Sequence, residues 1–553
     1  MGLNDIIQAS PIGRFFELEE RKTNFSTEFR GAVATFLTMA YILAVNPAIL
    51  ADSGGPCVAA DGNIFSPDYL ACKDAIKREY ITATAISAMI GCFVMGVMAN
   101  LPVALAPGMG LNAYFTFGVV GFHGTGKIGF EAAVTAVLIE GFIFLILALT
   151  GVRYFVAKLI PEPVRHATPA AIGAFLAHLG FQTAEGIGIV VGDVATAVTL
   201  GGCAEEDRVS LVALDEACFN NGGFDCIPGG TYTCDNTESS MTSATAWVGI
   251  LGLLLTGILL SYKSRFAFVV GIGFISIISW FRNTEITYFP DNDAGNARYE
   301  YFQQVVSIEK LDKLLVPFSD DLKQVAVALI TFLYVDFLDT SGTLLAIVSS
   351  MGVVDENGDF PKSRWAFSAD AIATIVGSLF GLSPVTSYIE SGAGVEAGSK
   401  TGLTAVIVGF FFFLSIFFAP IIASIPPWAT GGSLIIVGAL MSRSLIKIKW
   451  HIHSHAISAF ITVMLMPLTY SIAYGLIGGM LSFAVLEGTF WILSKVGIAP
   501  PSYDEPGDEG EGKSAAGEED KEEAAEAGAE ETAPPAETSG EDAAPNKSEE
   551  ANA

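Results

Sequence analysis

Residues 101–121, LPVALAPGMGLNAYFTFGVVG, and residues 381–398, GLSPVTSYIESGAGVEAG, decide how this chain must fold. Both are apolar enough to lie at bilayer depth, and both are interrupted. In the first, ValAlaLeuAla at 103–106 runs into Pro107-Gly108 and then Gly110-Leu111-Asn112. In the second, Gly381 and Ser383-Pro384 precede Val385-Thr386-Ser387. Proline lacks a backbone donor and pushes the residue before it toward extended geometry. Each stretch therefore reads as a short extended run, a break and a half-helix, starting near Gly110 in one and near Tyr388 in the other. Extended backbone at that depth is tolerated only when buried in protein or lining a cavity.

The rest of the chain supplies the membrane. It is 51% hydrophobic and 16% charged, against about a quarter charged in soluble domains. Apolar runs lie at about 32–51, 80–99, 101–121, 129–151, 166–191, 245–262 and 266–282. A second set lies at about 324–350, 366–381, 384–398, 402–425, 428–446, 456–473 and 475–496. This predicts an all-α polytopic membrane protein of 14 segments, with the two half-helices in segments 3 and 10. Two sets of seven, an odd number, share a fold only if inserted upside down relative to each other. Faint similarity between 101–117 and 381–398, and between IPEPVRHATPAAIGAFL and IPPWATGGSLIIVGAL, supports inverted repeats.

MGLNDIIQASPIGRFFELEERK shows no secretory signal, so the first span is expected to act as its own insertion signal. With a cytoplasmic N-terminus, most Lys and Arg beside the spans fall inside. Lys73, Lys77 and Arg78, in the outside loop 52–79, are the exception. Six of seven Cys fall in outside loops: Cys57 and Cys72 in one, Cys203, Cys218, Cys226 and Cys234 in another. An oxidising exterior allows disulfides there, with three pairings open in the second loop and zinc as a rival. Residues 501–553 hold 18 of the acidic residues and 3 Lys, which predicts a solvated, disordered tail. No basic stripe points to nucleic acid.

The chemistry gathers at the breaks. Half-helices meeting end to end near the midplane aim free N–H groups and positive dipole ends at a common pocket. Asn112 sits in the first turn of one and Glu390 in the first turn of the other, with Thr386 and Ser387 as caps of the second. For Asn112, a plain helix cap is the competing reading. In TFLYVDFLDTSGTLLAI, Asp336, Asp339 and Thr340 share one helix face. Carboxylates inside a membrane are costly, so they face a cavity or partners; an interhelical brace is the competing reading. Donor-rich helix ends beside carboxylates suit a neutral solute carrying both donors and acceptors. Crowded carboxylates also suit proton uptake, so Asp336, Asp339 and Glu390 are the candidate proton-coupling groups. Phe115, Phe332 and Tyr388 are candidates for a stacking face or for core packing. Glu140 and Glu487 read as braces or secondary proton sites, and His451, His453 and His455 as an interfacial connector or a metal set. No P-loop, zinc-protease or nucleophile–base pattern is present, which argues against an enzyme.

NFSTEFRGAVATFLTMAYILAVNPAIL, ALAPGMGLNAYFTF, YVDFLDTSGTLLAI and SPVTSYIESGAGVEAGSKTGLTAV resemble the AzgA-like permeases, the adenine, guanine and hypoxanthine transporters. The resemblance covers roughly residues 12–496; the loop 192–244 and the acidic tail look fungal. It implies a fold similar to the uracil permease. Residues 1–30 would be a cytoplasmic segment, 31–151 and 284–425 a core domain, 152–283 and 426–497 a gate domain, and 498–553 the cytoplasmic tail. It implies an elevator-type proton symporter of purine bases in the plasma membrane, both termini cytoplasmic, with no cofactor beyond the coupling proton and a homodimeric assembly. By motif position it places substrate binding on Asn112, Asp336 and Glu390, with Asp339 also important; Thr386, Ser387 and Phe332 are read beside them.

Overall fold

The computed structural model describes residues 3–58, 66–126, 128–151, 161–182, 186–193, 197–204, 208–210, 232–234, 240–315, 318–319, 321–354 and 360–497. Arg153, Lys158, Cys218, Cys226 and the acidic tail lie outside them. The chain is mostly helical. Among the described residues, seven helices are long and apolar enough to cross a membrane: Phe25–Ala51, Asp68–Met98, Phe130–Thr150, Ala244–Ser261, Ala328–Ser350, Pro427–Lys447 and Ile472–Lys495. Shorter or less apolar helices run over Glu162–Phe181, Ala267–Ser279, Ser363–Leu379, Gly402–Ile416 and His453–Thr469.

Helix starts follow local chemistry. Asn24 accepts from Thr27 N ahead of Phe25–Met39, and Ser66 accepts from Tyr69 N ahead of Pro67–Met98, which opens with Pro. Gly151, at φ 75°, closes Phe130–Thr150 in the left-handed region. Several predicted boundaries move. The helix expected from residue 80 begins at Pro67, because Ser66 caps it there. Its added turns carry the three cations that looked misplaced. Lys73 pairs with Asp52 at 2.5 Å, and Arg78 lies 4.2 Å from the Tyr301 ring centroid. The run 32–51 belongs to the single span Phe25–Ala51, which steps at Ala40 and Tyr41 between the helical pieces Phe25–Met39 and Ile42–Ala51. The run 166–191 is helical only to Phe181; Val190–Asp193 is a strand paired with Ala197–Leu200.

The helices pack in two groups. Pro67–Met98 lies against Gly402–Ile416 and Ser363–Leu379, and Phe130–Thr150 against Ser363–Leu379 and Leu322–Ser350. Glu162–Phe181 lies against Pro427–Met441 and His453–Thr469, which packs on Ile472–Lys495. Close crossings are made by glycine pairs. A Cβ on Gly402 would stand 2.1 Å from Gly96 O, and one on Gly438 would stand 2.3 Å from Gly173 O. Small residues let membrane helices approach to dispersion contact where the hydrophobic effect gives no drive. Among the described residues two disulfides are present, Cys57–Cys72 and Cys203–Cys234, and Cys92 is a buried free thiol.

Candidate functional site

The two interrupted stretches meet. Strand Leu105–Pro107 pairs antiparallel with strand Val385–Ser387, with Leu105 opposite Ser387 and Pro107 opposite Val385. Beyond them, Gly108 N donates to Pro384 O at 3.1 Å and Tyr388 N to Ala104 O at 3.0 Å. This two-strand ribbon is fully buried, so its outward-facing polar groups need partners. They have them. Ala104 N donates to Ser391 Oγ, Leu105 N to Cys92 Sγ, and Val385 N to Thr374 Oγ1, whose hydroxyl donates back to Val385 O. Pro107 O accepts from Asn46 Nδ2 at 2.8 Å and from the Tyr388 hydroxyl. Cys92, Thr374, Asn46 and Ser391 thus replace the neighbouring strands of an ordinary sheet. Gly108 is required by proximity: a Cβ there would stand 2.7 Å from Thr386 Cγ2.

A helical segment leaves each strand. Met109–Ala113 continues as a π-helix, Tyr114–Val120, while Ile389–Ser391 is a 3-10 turn leading into Gly392–Glu396. Asn112 is fully buried on the first. Its Oδ1 accepts from the Ser383 hydroxyl, and its Nδ2 has no partner. It is no helix cap; it offers an unused donor. Thr386 and Ser387 are not caps either, contrary to the sequence expectation. Their hydroxyls turn to the Leu322–Ser350 and Ser363–Leu379 helices, because buried acceptors stand there.

Thr340 ties this network together. Its hydroxyl lies 2.9 Å from Asp370 Oδ2, 2.9 Å from Thr386 Oγ1 and 3.4 Å from Asp336 Oδ1. Ser387 donates to the other Asp370 oxygen at 3.3 Å. Asp336 and Asp370 are fully buried. Asp339 and Glu390 are neighbours, both partly exposed. Glu390 Oε1 accepts from the Tyr41 hydroxyl at 2.7 Å, and Tyr41 stacks on Phe268 with centroids 5.0 Å apart.

The structure therefore brings Asp336, Asp339, Glu390, Thr386 and Ser387 together around the strand pair, with Asn112 beside it. Phe332 is different. It is fully buried, edge-on to Tyr114 at 5.1 Å and tilted against Phe115 at 6.2 Å, and presents no accessible face. Sequence reasoning missed Asp370, Tyr41 and Asn46. Glu487 accepts from Ser454 at 2.6 Å, a brace between the last two helices. Among the described residues no group of three or more His, Cys, Asp or Glu is arranged to hold a metal ion.

Apolar helices packed around a buried polar site where two broken segments meet define a multi-pass membrane permease, a transporter rather than an enzyme. The chain belongs to the xanthine/uracil permeases: the model of that permease family matches residues 27–228 and 231–478. It is 42% identical over 523 residues to the Aspergillus versicolor protein named efflux pump notK', covering 91% of this chain and 87% of that one. It is 41% identical to a putative xanthine/uracil permease of Schizosaccharomyces pombe (90% and 79% covered). It is 32% identical to the adenine permease AdeQ of Escherichia coli (87% and 91% covered). Among solved structures, the transmembrane domain of a cyanobacterium bicarbonate transporter, BicA, is similar with a TM-score of 0.51 at 16% identity, covering 82% of this chain and 97% of that one. That likeness concerns the fold alone.

Proposed function

We propose that this protein imports purine nucleobases across the plasma membrane in symport with protons. The observation that carries the reading is the donor and acceptor content of the site. Asn112 offers an unused amide donor beside the start of a half-helix, and Asp336, Asp339 and Glu390 offer acceptors around the strand pair. A purine base presents ring nitrogens or a carbonyl to the first and ring N–H or amino groups to the second. The carboxylates disfavour an inorganic anion, and the helix ends disfavour a bare cation. The adenine permease relative supports adenine as a solute, and the resemblance to AzgA-like carriers adds guanine and hypoxanthine to the reading.

On this reading the chain makes 14 spans in two inverted seven-span repeats. The helices around the strand pair form a core that moves against a gate built from Glu162–Phe181, Ala244–Ser261, Ala267–Ser279 and the last three helices. Both termini are cytoplasmic, and the protein is a homodimer. The test is uptake of radiolabelled hypoxanthine in a purine-permease-deficient yeast, with and without a protonophore. Uptake that the protonophore and an alkaline medium suppress supports the reading. Uptake that follows sodium and ignores pH rejects the coupling; competition by uracil or uric acid but not by purines rejects the substrate.

One observation favours a second reading, outward transport: the Aspergillus relative is named an efflux pump. Release from preloaded cells that outpaces uptake would select it.

A further inference from the structure

Glu140 lies midway along Phe130–Thr150 and is fully buried. Neither of its carboxylate oxygens has a donor. Asp336, on the neighbouring Leu322–Ser350 helix, is also fully buried, and its Oδ2 lacks a donor as well. The two carboxyl groups lie within hydrogen-bonding reach of each other. The charged groups around them are acidic: Asp370 from Ser363–Leu379 faces both, and Asp339 faces Asp336, with Glu390 facing Asp339. No Lys, Arg or His acts on this set among the described residues. Two ionised carboxylates in contact at bilayer depth, without a cation, are strongly disfavoured. One proton between them supplies the donor that both lack.

We propose that Glu140 and Asp336 share a single proton, and that this is the proton the carrier moves with its solute. The inference rests on the symport reading and adds Glu140, which does not line the solute site, as the group that positions the proton. Its balance is simple. The pair takes up one H⁺ from the solution on one side, falling from two negative charges to one, and returns it to the solution on the other. A solute N–H that donates to Asp336 favours the ionised form of Asp336 and leaves the proton on Glu140. The singly protonated pair thus still offers an ionised Asp336 to the solute, so that proton and solute are carried together.

The test uses the full-length protein in liposomes and the Glu140→Gln variant, whose amide supplies the donor without a titrating proton. Counterflow exchange of radiolabelled hypoxanthine should stay within about twofold of wild type, while accumulation driven by a pH gradient falls by at least about tenfold. Accumulation that persists, or exchange that falls as far as accumulation, overturns the proposal. A second readout needs no solute. Infrared spectra of the wild type at neutral pH should show a protonated carboxyl stretch that weakens in Glu140→Gln; an unchanged band overturns it. If wild type carries no hypoxanthine, the functional reading fails and the infrared band still decides the shared proton. If Glu140→Gln does not fold, Glu140→Asp keeps a titrating group, and the pH midpoint of the band must shift from that of wild type; an unshifted midpoint overturns the proposal.

Discussion

At the residue scale, the candidate site is built from a few polar side chains whose burial would be prohibitive without one another. Thr340 touches Asp336, Asp370 and Thr386 from one hydroxyl, so the Leu322–Ser350 and Ser363–Leu379 helices and the Val385–Ser387 strand are held at fixed spacing. Asp336→Asn or Glu390→Gln should nearly abolish purine uptake while surface expression, followed by a fluorescent tag, stays normal. Normal uptake by either variant would reject the site. Asp370→Ala removes the acceptor of the Ser387 hydroxyl and one acceptor of Thr340 in a buried space, at a cost of about 1–3 kcal/mol; the detergent-solubilised protein should melt earlier than wild type. Asp336, Asp339, Glu390 and Asn112 were legible in the sequence because a carboxylate or amide at bilayer depth demands a reason. Asp370 satisfied the same criterion, in SerAlaAsp at 368–370 of an apolar run, and could have been found by it. Tyr41 and Asn46 could not. Tyrosine and asparagine near a span are common, and only the fold shows that these two reach Glu390 and the Pro107 carbonyl.

At the element scale, the strand pair is short and carries few hydrogen bonds of its own, so it persists because helices close around it. Gly108→Ala places a methyl group against Thr386. Overpacking of this kind costs about 1–3 kcal/mol. Here it also separates the two half-helices, so uptake should fall more than folding yield does, and comparing the two measurements checks this. The NFSTEFRG motif has a structural use at this scale. Buried Glu28 accepts from Lys400 N, Thr401 N and the Thr404 hydroxyl, fastening Phe25–Met39 to the start of Gly402–Ile416. The two breaks were visible from Pro107-Gly108 and Ser383-Pro384. That the extended pieces pair, and in this register, was not: three-residue strands have no periodicity to read.

At the scale of the whole molecule, the face carrying the Cys57–Cys72 disulfide holds a titrating group outside the spans. His123 Nδ1 lies 2.7 Å from the Tyr69 hydroxyl, and its backbone N–H donates to Asp52 O. Burial, followed by the Lys73 charge, pushes the imidazole down to about 4. The folded state then resists a proton that the unfolded chain accepts near 6.5. Stability held above 6.5 is therefore lost as pH falls from 6.5 toward 4, and the loss is complete below 4. His123→Asn, whose side chain tolerates the φ of 53° at this position, should flatten the melting temperature across that window. An undiminished acid sensitivity in the variant would assign the loss to other groups.

Composition and pattern were sufficient, by themselves, to establish a membrane chain with two broken spans, acidic residues beside the breaks and cysteines grouped between spans. Each of these is a local property, set by what a bilayer tolerates in a stretch of about twenty residues. Only the tertiary structure decided that Thr386 and Ser387 turn away from the helix ends, that Phe332 is packed shut, that Cys203 pairs with Cys234, and that Glu140 faces Asp336. Those outcomes depend on which distant side chain arrives within about 3 Å, the range at which a hydrogen bond forms. Partners that lie from 17 residues away in the chain, as Ser387 and Asp370 do, to far longer separations leave no local trace of that distance.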